Sequence, residues 1–194
     1  MNNARFRVYD KLFAVIFIVL SILFVLSGFL NENLFQWAFA RHQNQLSWYI
    51  RPLFLVPFCY SAYKHSLSGI SGTIFLLLTS MCWFAVPAAV DSRVNEFLQM
   101  EKDYLTGNWG LSKILITLLV PITLTVLAMS LWKRSLWIGI STLIFIALAK
   151  MLWSVVFGGT SGTKVILPAL IGLMICVAML WLGFKRLERK KHKE

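Results

Sequence analysis

The chain reads as an all-α, polytopic membrane bundle of six helices, and three observations lead there. Hydrophobic residues make up 58% of its 194 positions while charged ones make up 14%. A soluble domain of this size is nearer half apolar and a quarter charged. The apolar residues are gathered into six long runs separated by short polar connections. The basic residues fall in those connections and at the ends, with a bias between alternate connections that sets an orientation.

Met1 to Lys11 is short and basic, with Arg5, Arg7 and Lys11 against Asp10. Leu12 to Leu30 then carries no charge, and about 20 residues at 1.5 Å rise cross a ~30 Å hydrocarbon core. Ala38-Phe39-Ala40 has the small-x-small form of a signal-cleavage site. It lies well beyond an apolar run too long for a signal peptide, so a retained anchor is expected. Asn31 to Gln45 reads as a polar loop with Trp37, Arg41 and His42. The second span, Leu46 to Tyr63, contains Pro52 and Pro57 and carries Arg51 near its start. A brief turn leads to the third span, Ile70 to Val90, which ends in Trp83, Pro87 and then Asp91.

The longest connection runs from Asp91 to Leu111. Val94, Phe97, Leu98 and Leu105 recur in it at near-helical spacing, with Glu96, Glu101, Lys102 and Asp103 between them. That pattern predicts a short amphipathic helix lying in the interface between helices 3 and 4. The fourth span is Ser112 to Leu131, broken by Pro121, and the fifth is Leu136 to Phe157, holding Lys150. Gly158 to Thr163 (GGTSGT) reads as a flexible turn, and Val165 to Phe184 is the sixth span, with Pro168 near its start. The spans together are expected to form one transmembrane domain over residues 1–194. The tail KRLERKKHKE resembles a juxtamembrane polybasic segment, whose Lys and Arg are each worth about 1 kcal/mol near an anionic leaflet.

Orientation follows from the basic residues. The N-terminus, the second and fourth connections and the tail hold Arg5, Arg7, Lys11, Lys64, Lys133, Arg134, Lys185, Arg186, Arg189, Lys190, Lys191 and Lys193. The other side holds Arg41, Arg93, Lys102, Lys113 and Lys164. The positive-inside rule therefore makes both ends cytoplasmic, in keeping with an even number of spans. Tryptophans near both boundaries form an aromatic belt. The same topology explains the net charge of +11 without nucleic acid as a partner. The compact loops and basic bias point to a bacterial inner membrane.

Two cations stand inside the spans. By position along their helices, Lys150 lies roughly 10 Å and Arg51 roughly 8 Å beneath the outer boundary. A charge at the bilayer centre costs about 2.5–3.5 kcal/mol, less where it can reach the interface. Three readings account for them. The side chains stretch to outer headgroups; or they pair with Asp91 or Glu96, which follow the third span; or they line a basic pocket for an anionic group such as a lipid phosphate or a carboxylate. Arg51 is the better anion contact, because its planar fork grips such groups bidentately.

The candidate ligand-binding set is thus Arg51, Lys150, Asp91 and Glu96. No catalytic residue, metal site or cofactor is expected. Cys59, Cys82 and Cys176 all sit in apolar runs, as packing residues do. No histidine lies in a span to hold haem, and no span contains an Asp or Glu for a proton relay or a retinal counter-ion. Ser161 lacks a nearby base. Glu96, Glu101 and Asp103 with His42 would form an outer metal site only if the amphipathic helix failed to turn its acids to water. The five prolines all fall within spans, yet an inverted three-plus-three repeat is not supported, since it would place Arg51 and Lys150 in opposite leaflets. The expected function is binding or transport of an anionic small molecule or lipid headgroup in the outer half of the membrane, with anionic lipids as partners. The alternative is a non-catalytic assembly subunit that packs against other membrane proteins or its own copies.

Overall fold

The computed structural model describes residues 3–191, with side-chain surroundings for 6–186. The end of the basic tail, from Leu187, lies outside the residues whose side chains are described. All regular structure in the described residues is helical. The chain forms two compact units, Met1–Ala89 and Val90–Glu194.

The first unit opens with α1 (Asn3–Leu30), of which Phe6–Leu30 is long and apolar enough to cross a membrane. The polar loop expected next is instead a helix, α2 (Glu32–His42). Asn31 starts it by accepting a hydrogen bond from the Leu34 amide at 3.1 Å, as an N-cap does. Phe35, Ala38, Phe39 and His42 form its buried stripe, with the i, i+3, i+4, i+7 spacing of an amphipathic helix. Its exposed residues include Asn31, Glu32 and Gln36. It is a helix because the polar residues occupy only one face.

The second apolar run is divided into α3 (Leu46–Leu53) and α4 (Leu55–Tyr63). The division at Phe54 follows from Pro57. Proline has no N–H for the carbonyl four residues back, here Leu53, and its ring crowds that carbonyl. The third run becomes α5 (Leu67–Thr79) and a 3-10 turn over Ser80–Cys82. It starts three residues earlier than the expected Ile70 and stops eight short of Val90. The early start has a visible cause. Asp10 of α1 accepts hydrogen bonds from Ser66 Oγ (2.8 Å), the Leu67 amide (2.9 Å), the Ser68 amide (3.1 Å) and Ser68 Oγ (2.6 Å). A carboxylate from one helix thus satisfies the orphan donors at the start of another. The early stop reflects Pro87, which disfavours helix at Val86. α1 and α5 pack along each other, with the Phe17 ring against Gly72 and 6.1 Å from that of Phe75.

The second unit is built around one long helix. α6 (Ser92–Thr106) is present where the amphipathic pattern places it, capped by Asp91 through the Arg93 amide at 2.9 Å. Val94, Phe97 and Leu98 are its buried residues. α7 (Leu111–Trp132) follows, then α8 (Leu136–Gly162) and α9 (Ile166–Lys191). α8 packs against α6, α7 and α9. Leu111–Trp132 is long and apolar enough to cross a membrane, and so is the continuous stretch Leu136–Arg186. The latter contains a break at Gly159 (φ 54°, ψ −131°), after which α9 lies alongside α8. The GGTSGT segment is therefore a compact helical corner rather than a loose turn. Ser161 Oγ donates to the Gly158 carbonyl at 2.6 Å, and Gly162 sits so near the Ser154 carbonyl that no Cβ fits between them.

Candidate functional site

The four residues singled out in the sequence separate between the units. Arg51 belongs to the first; Lys150, Asp91 and Glu96 belong to the second.

In the second unit the charges meet one another. Lys150 Nζ lies 2.9 Å from Glu101 Oε1, with its ammonium 4.5 Å from the centre of the Trp153 ring and 5.6 Å from that of Phe97. Asp91 is paired with Lys164 at 2.6 Å. The sequence reading offered Asp91 and Glu96 as the acids for Lys150, whereas the structure supplies Glu101. The reason is periodicity. Glu101 falls seven residues after Val94 and so on the face that carries Val94, Phe97 and Leu98 toward α8. Glu96 lies on the opposite side of the helix and is exposed. Lys164, which donates to Asp91, holds its carboxyl below the ordinary carboxylate range, with help from the Arg93 amide. Among the described residues, no group of three His, Cys, Asp or Glu side chains could hold a metal ion. His42 lies in the first unit and the α6 acids in the second.

The first unit holds a different arrangement around the 3-10 turn. α2 brings Arg41 and His42, α3 brings Ser47, Trp48 and Arg51, and the turn itself brings Ser80 and Cys82. His42 is 4% exposed and Ser47 and Ser80 are fully buried. Arg51 is half-buried. Its Nη1 lies 3.1 Å from His42 Nε2 and its Nε donates to Ser80 Oγ at 3.4 Å. Ser80 Oγ donates onward to the Leu77 carbonyl at 2.6 Å. Arg41 Nε donates to the Cys82 carbonyl at 2.6 Å, and its guanidinium lies 5.1 Å over the Trp37 ring. Both arginines are near enough to act electrostatically on the Cys82 thiol.

These contacts fix the protons. A guanidinium has donors and no acceptor, so the 3.1 Å contact needs the lone pair of His42 Nε2. His42 is then neutral with its proton on Nδ1, and donates to Ser47 Oγ at 2.9 Å. Ser47 in turn donates to the Asn44 carbonyl at 2.8 Å. The Trp48 indole N–H closes over the His42 carbonyl at 3.0 Å. Although Ser47 and His42 are adjacent, the imidazole gives a proton to the hydroxyl rather than taking one, which is the reverse of nucleophile activation. What the cluster can do is present positive charge. Two guanidinium groups flank one short turn, both oriented through Nε and Arg51 also through Nη1 on His42, and a guanidinium can grip phosphate or carboxylate through its remaining N–H donors.

Arg51 was legible in the sequence as a cation inside an apolar run. Arg41 and His42 fall in the segment that the sequence reads as a polar loop. The stripe ending in His42 is the signal that would have found them, since it makes α2 a helix and brings its last turn toward the unit's core. An apolar groove of about 440 Å³ between α8 and α9 is lined by Ile144, Leu173, Met174, Val177, Ala178 and Trp181. Searches against protein-family models, curated proteins and solved structures find no match to this chain.

Proposed function

We propose that this is a six-span inner-membrane protein of a bacterium, with both termini cytoplasmic, that binds an anionic group at the outer boundary through Arg51 and Arg41. The six spans are α1, the α3–α4 pair, α5 with its 3-10 extension, α7, α8 and α9, forming one membrane domain. α6 lies in the interface. The ligand is a phosphate or carboxylate carried by a lipid headgroup or a small solute, held or passed across the membrane. One observation carries this reading: two guanidinium groups from different helices converge on Ser80–Cys82. Lys150 is assigned a structural role, because Glu101 and two aromatic rings already receive its charge.

A second reading, a non-catalytic subunit packing against other membrane proteins or its own copies, draws on that same satisfaction of charge. Among the described residues the second unit has two ion pairs, Lys150–Glu101 and Lys164–Asp91, each internal to it, and large apolar side chains of α7 such as Leu115, Leu118 and Ile122 are exposed.

The two readings part on one experiment. The full-length protein is reconstituted in nanodiscs of mixed phosphatidylglycerol and phosphatidylcholine, and the retained lipid is identified by native mass spectrometry. Enrichment of phosphatidylglycerol that falls about tenfold or more in Arg51→Gln and in Arg41→Gln supports the anion reading, as expected from losing a charge-assisted hydrogen bond. Competition by inorganic phosphate indicates a solute rather than a headgroup. Folded variants that retain phosphatidylglycerol as the wild type does would overturn it and leave the subunit reading.

A further inference from the structure

We propose that the groove between α8 and α9 holds one acyl chain of an anionic phospholipid, with its phosphate at Lys185 and Arg186 where α9 leaves its apolar stretch. The groove has a volume of about 440 Å³ and only apolar lining residues. Leu173, Met174, Val177, Ala178 and Trp181 stand on α9, and Ile144 stands on α8. On α9 the lining runs from Leu173 to Trp181, about 12 Å of helical rise, so the groove follows the helix and suits an extended chain. The charge lies at one end of it. Trp137, seven residues before Ile144 and so on the same face of α8, has its ring 6.4 Å from that of Trp181. Lys185 follows Trp181 by four residues, which continues the groove's stripe by one helical turn. Lys185 and Arg186 are both exposed. The turn holding Lys133 and Arg134 immediately precedes α8 at that same end.

Along the helices the order is apolar groove, indole pair, cations. That is the order of a phospholipid: acyl chain, ester linkage, phosphate. Indoles suit the middle position, because the ring is apolar and its N–H can donate to an ester carbonyl. The charge at this end has one sign. No Asp or Glu occurs in residues 131–137 or 177–187, and by sequence the tail beyond adds Arg189, Lys190, Lys191 and Lys193 against Glu188 and Glu194. A second apolar helix would fill the groove but leave those cations unanswered, and a zwitterionic lipid would bring a cation of its own. Basic pockets between membrane helices on the cytoplasmic side take anionic headgroups in this way, and in the proposed topology this end is cytoplasmic. The site is distinct from Arg41 and Arg51, which belong to the other unit, and it requires only that α8 and α9 lie in a bilayer.

Photolabelling of the full-length protein in nanodiscs tests this. The probes are phosphatidylglycerol and phosphatidylcholine, each with a diazirine midway along one acyl chain, used in turn at the same low fraction in unlabelled phosphatidylcholine. The label is located by peptide mass spectrometry. Groove residues such as Met174, Val177 and Ala178 should take about fivefold or more label from phosphatidylglycerol than from phosphatidylcholine, the preference that one cation near an anionic headgroup confers. Replacing both cations, Lys185→Gln with Arg186→Gln, should remove that preference. Ala178→Phe, which fills the groove, should lower the label there from both probes while leaving the label on the exposed face of α7 unchanged. Equal labelling of the wild type by the two probes would make the groove an ordinary lipid-facing surface and overturn the proposal. A preference that survives the Lys185 and Arg186 substitutions overturns it as well. Groove residues left unlabelled by both probes, in a protein that runs as a dimer, would mean that a second copy covers the groove, which also overturns it. Because the label is read by position, failure of the anion reading at Arg41 and Arg51 leaves this result standing, and the reverse is equally true.

Discussion

At the scale of single residues, most of the unusual charges in this protein are explained by the side chains beside them. Lys150 looked costly inside an apolar run, yet it has Glu101 at 2.9 Å and the faces of Trp153 and Phe97 within cation–π reach. The pair is partly exposed, so on general grounds it contributes at most about 1 kcal/mol; its consequence is that the charge is accounted for. Asp91 makes a prediction about pH. Its carboxyl is held below the ordinary range by Lys164 and by the Arg93 amide. The depressed value means that its stabilising effect is complete above the unfolded-state value of about 4. That effect is lost as the pH falls through the lower folded-state value. Thermal unfolding followed from neutral pH to about pH 3 should therefore show a larger loss of midpoint in the wild type than in Asp91→Asn. Equal losses would mean that the Asp91–Lys164 pair does not persist in solution.

At the scale of elements, glycines and prolines decide where helices bend and stop. Pro57 divides α3 from α4, and Pro87 keeps the chain after Cys82 from continuing as helix. The corner between α8 and α9 depends on two glycines for different reasons. Gly159 adopts φ 54°, ψ −131° with open space around it, so the cost of a side chain there is backbone strain, of order 1–3 kcal/mol. Gly162 has ordinary helical angles (φ −62°) but no room for a Cβ against Ser154, so its cost is overpacking, typically about 1–3 kcal/mol. Gly183, within α9 and with nothing near it, is the control. Chemical unfolding should show Gly159→Ala and Gly162→Ala destabilised by those amounts, while Gly183→Ala is unchanged or more stable by up to about 1 kcal/mol. If all three behaved alike, the corner would not be the tight structure described.

At the scale of the whole molecule, the proposed topology is the premise on which the location of the arginine cluster depends. If both ends are cytoplasmic, α2, the 3-10 turn and α6 all belong to the outer side. A cysteine introduced at Asn108, between α6 and α7, should then react with a membrane-impermeant maleimide in intact cells. One at Lys133, between α7 and α8, should react only after permeabilisation, and a fluorescent reporter fused to the C-terminus should be active. The opposite pattern would move Arg41 and Arg51 to the cytoplasmic face. The basic residues argue against that pattern, since twelve fall on the proposed inner side and five on the outer.

The amino-acid sequence determined what depends on composition and on local period. Runs of about twenty apolar residues must be helical in lipid, because every backbone donor and acceptor has to be satisfied within the segment, and α1, α7 and the long stretch through α8 and α9 appear as such helices. The stripe of Val94, Phe97 and Leu98 likewise specified α6 before any contact was known. The sequence also marked Arg51 and Lys150 as charges needing an explanation. It could not say which atoms answer them, because a partner is chosen by which face of which helix it lies on. Glu101 rather than Glu96 meets Lys150 for that reason. Asp10 caps a helix that begins more than fifty residues later, and His42 and Arg41 join Arg51 only because α2 is a helix with one apolar face. Those are decisions of tertiary structure: long-range contacts fix them, and no local pattern encodes which side chains will share a space.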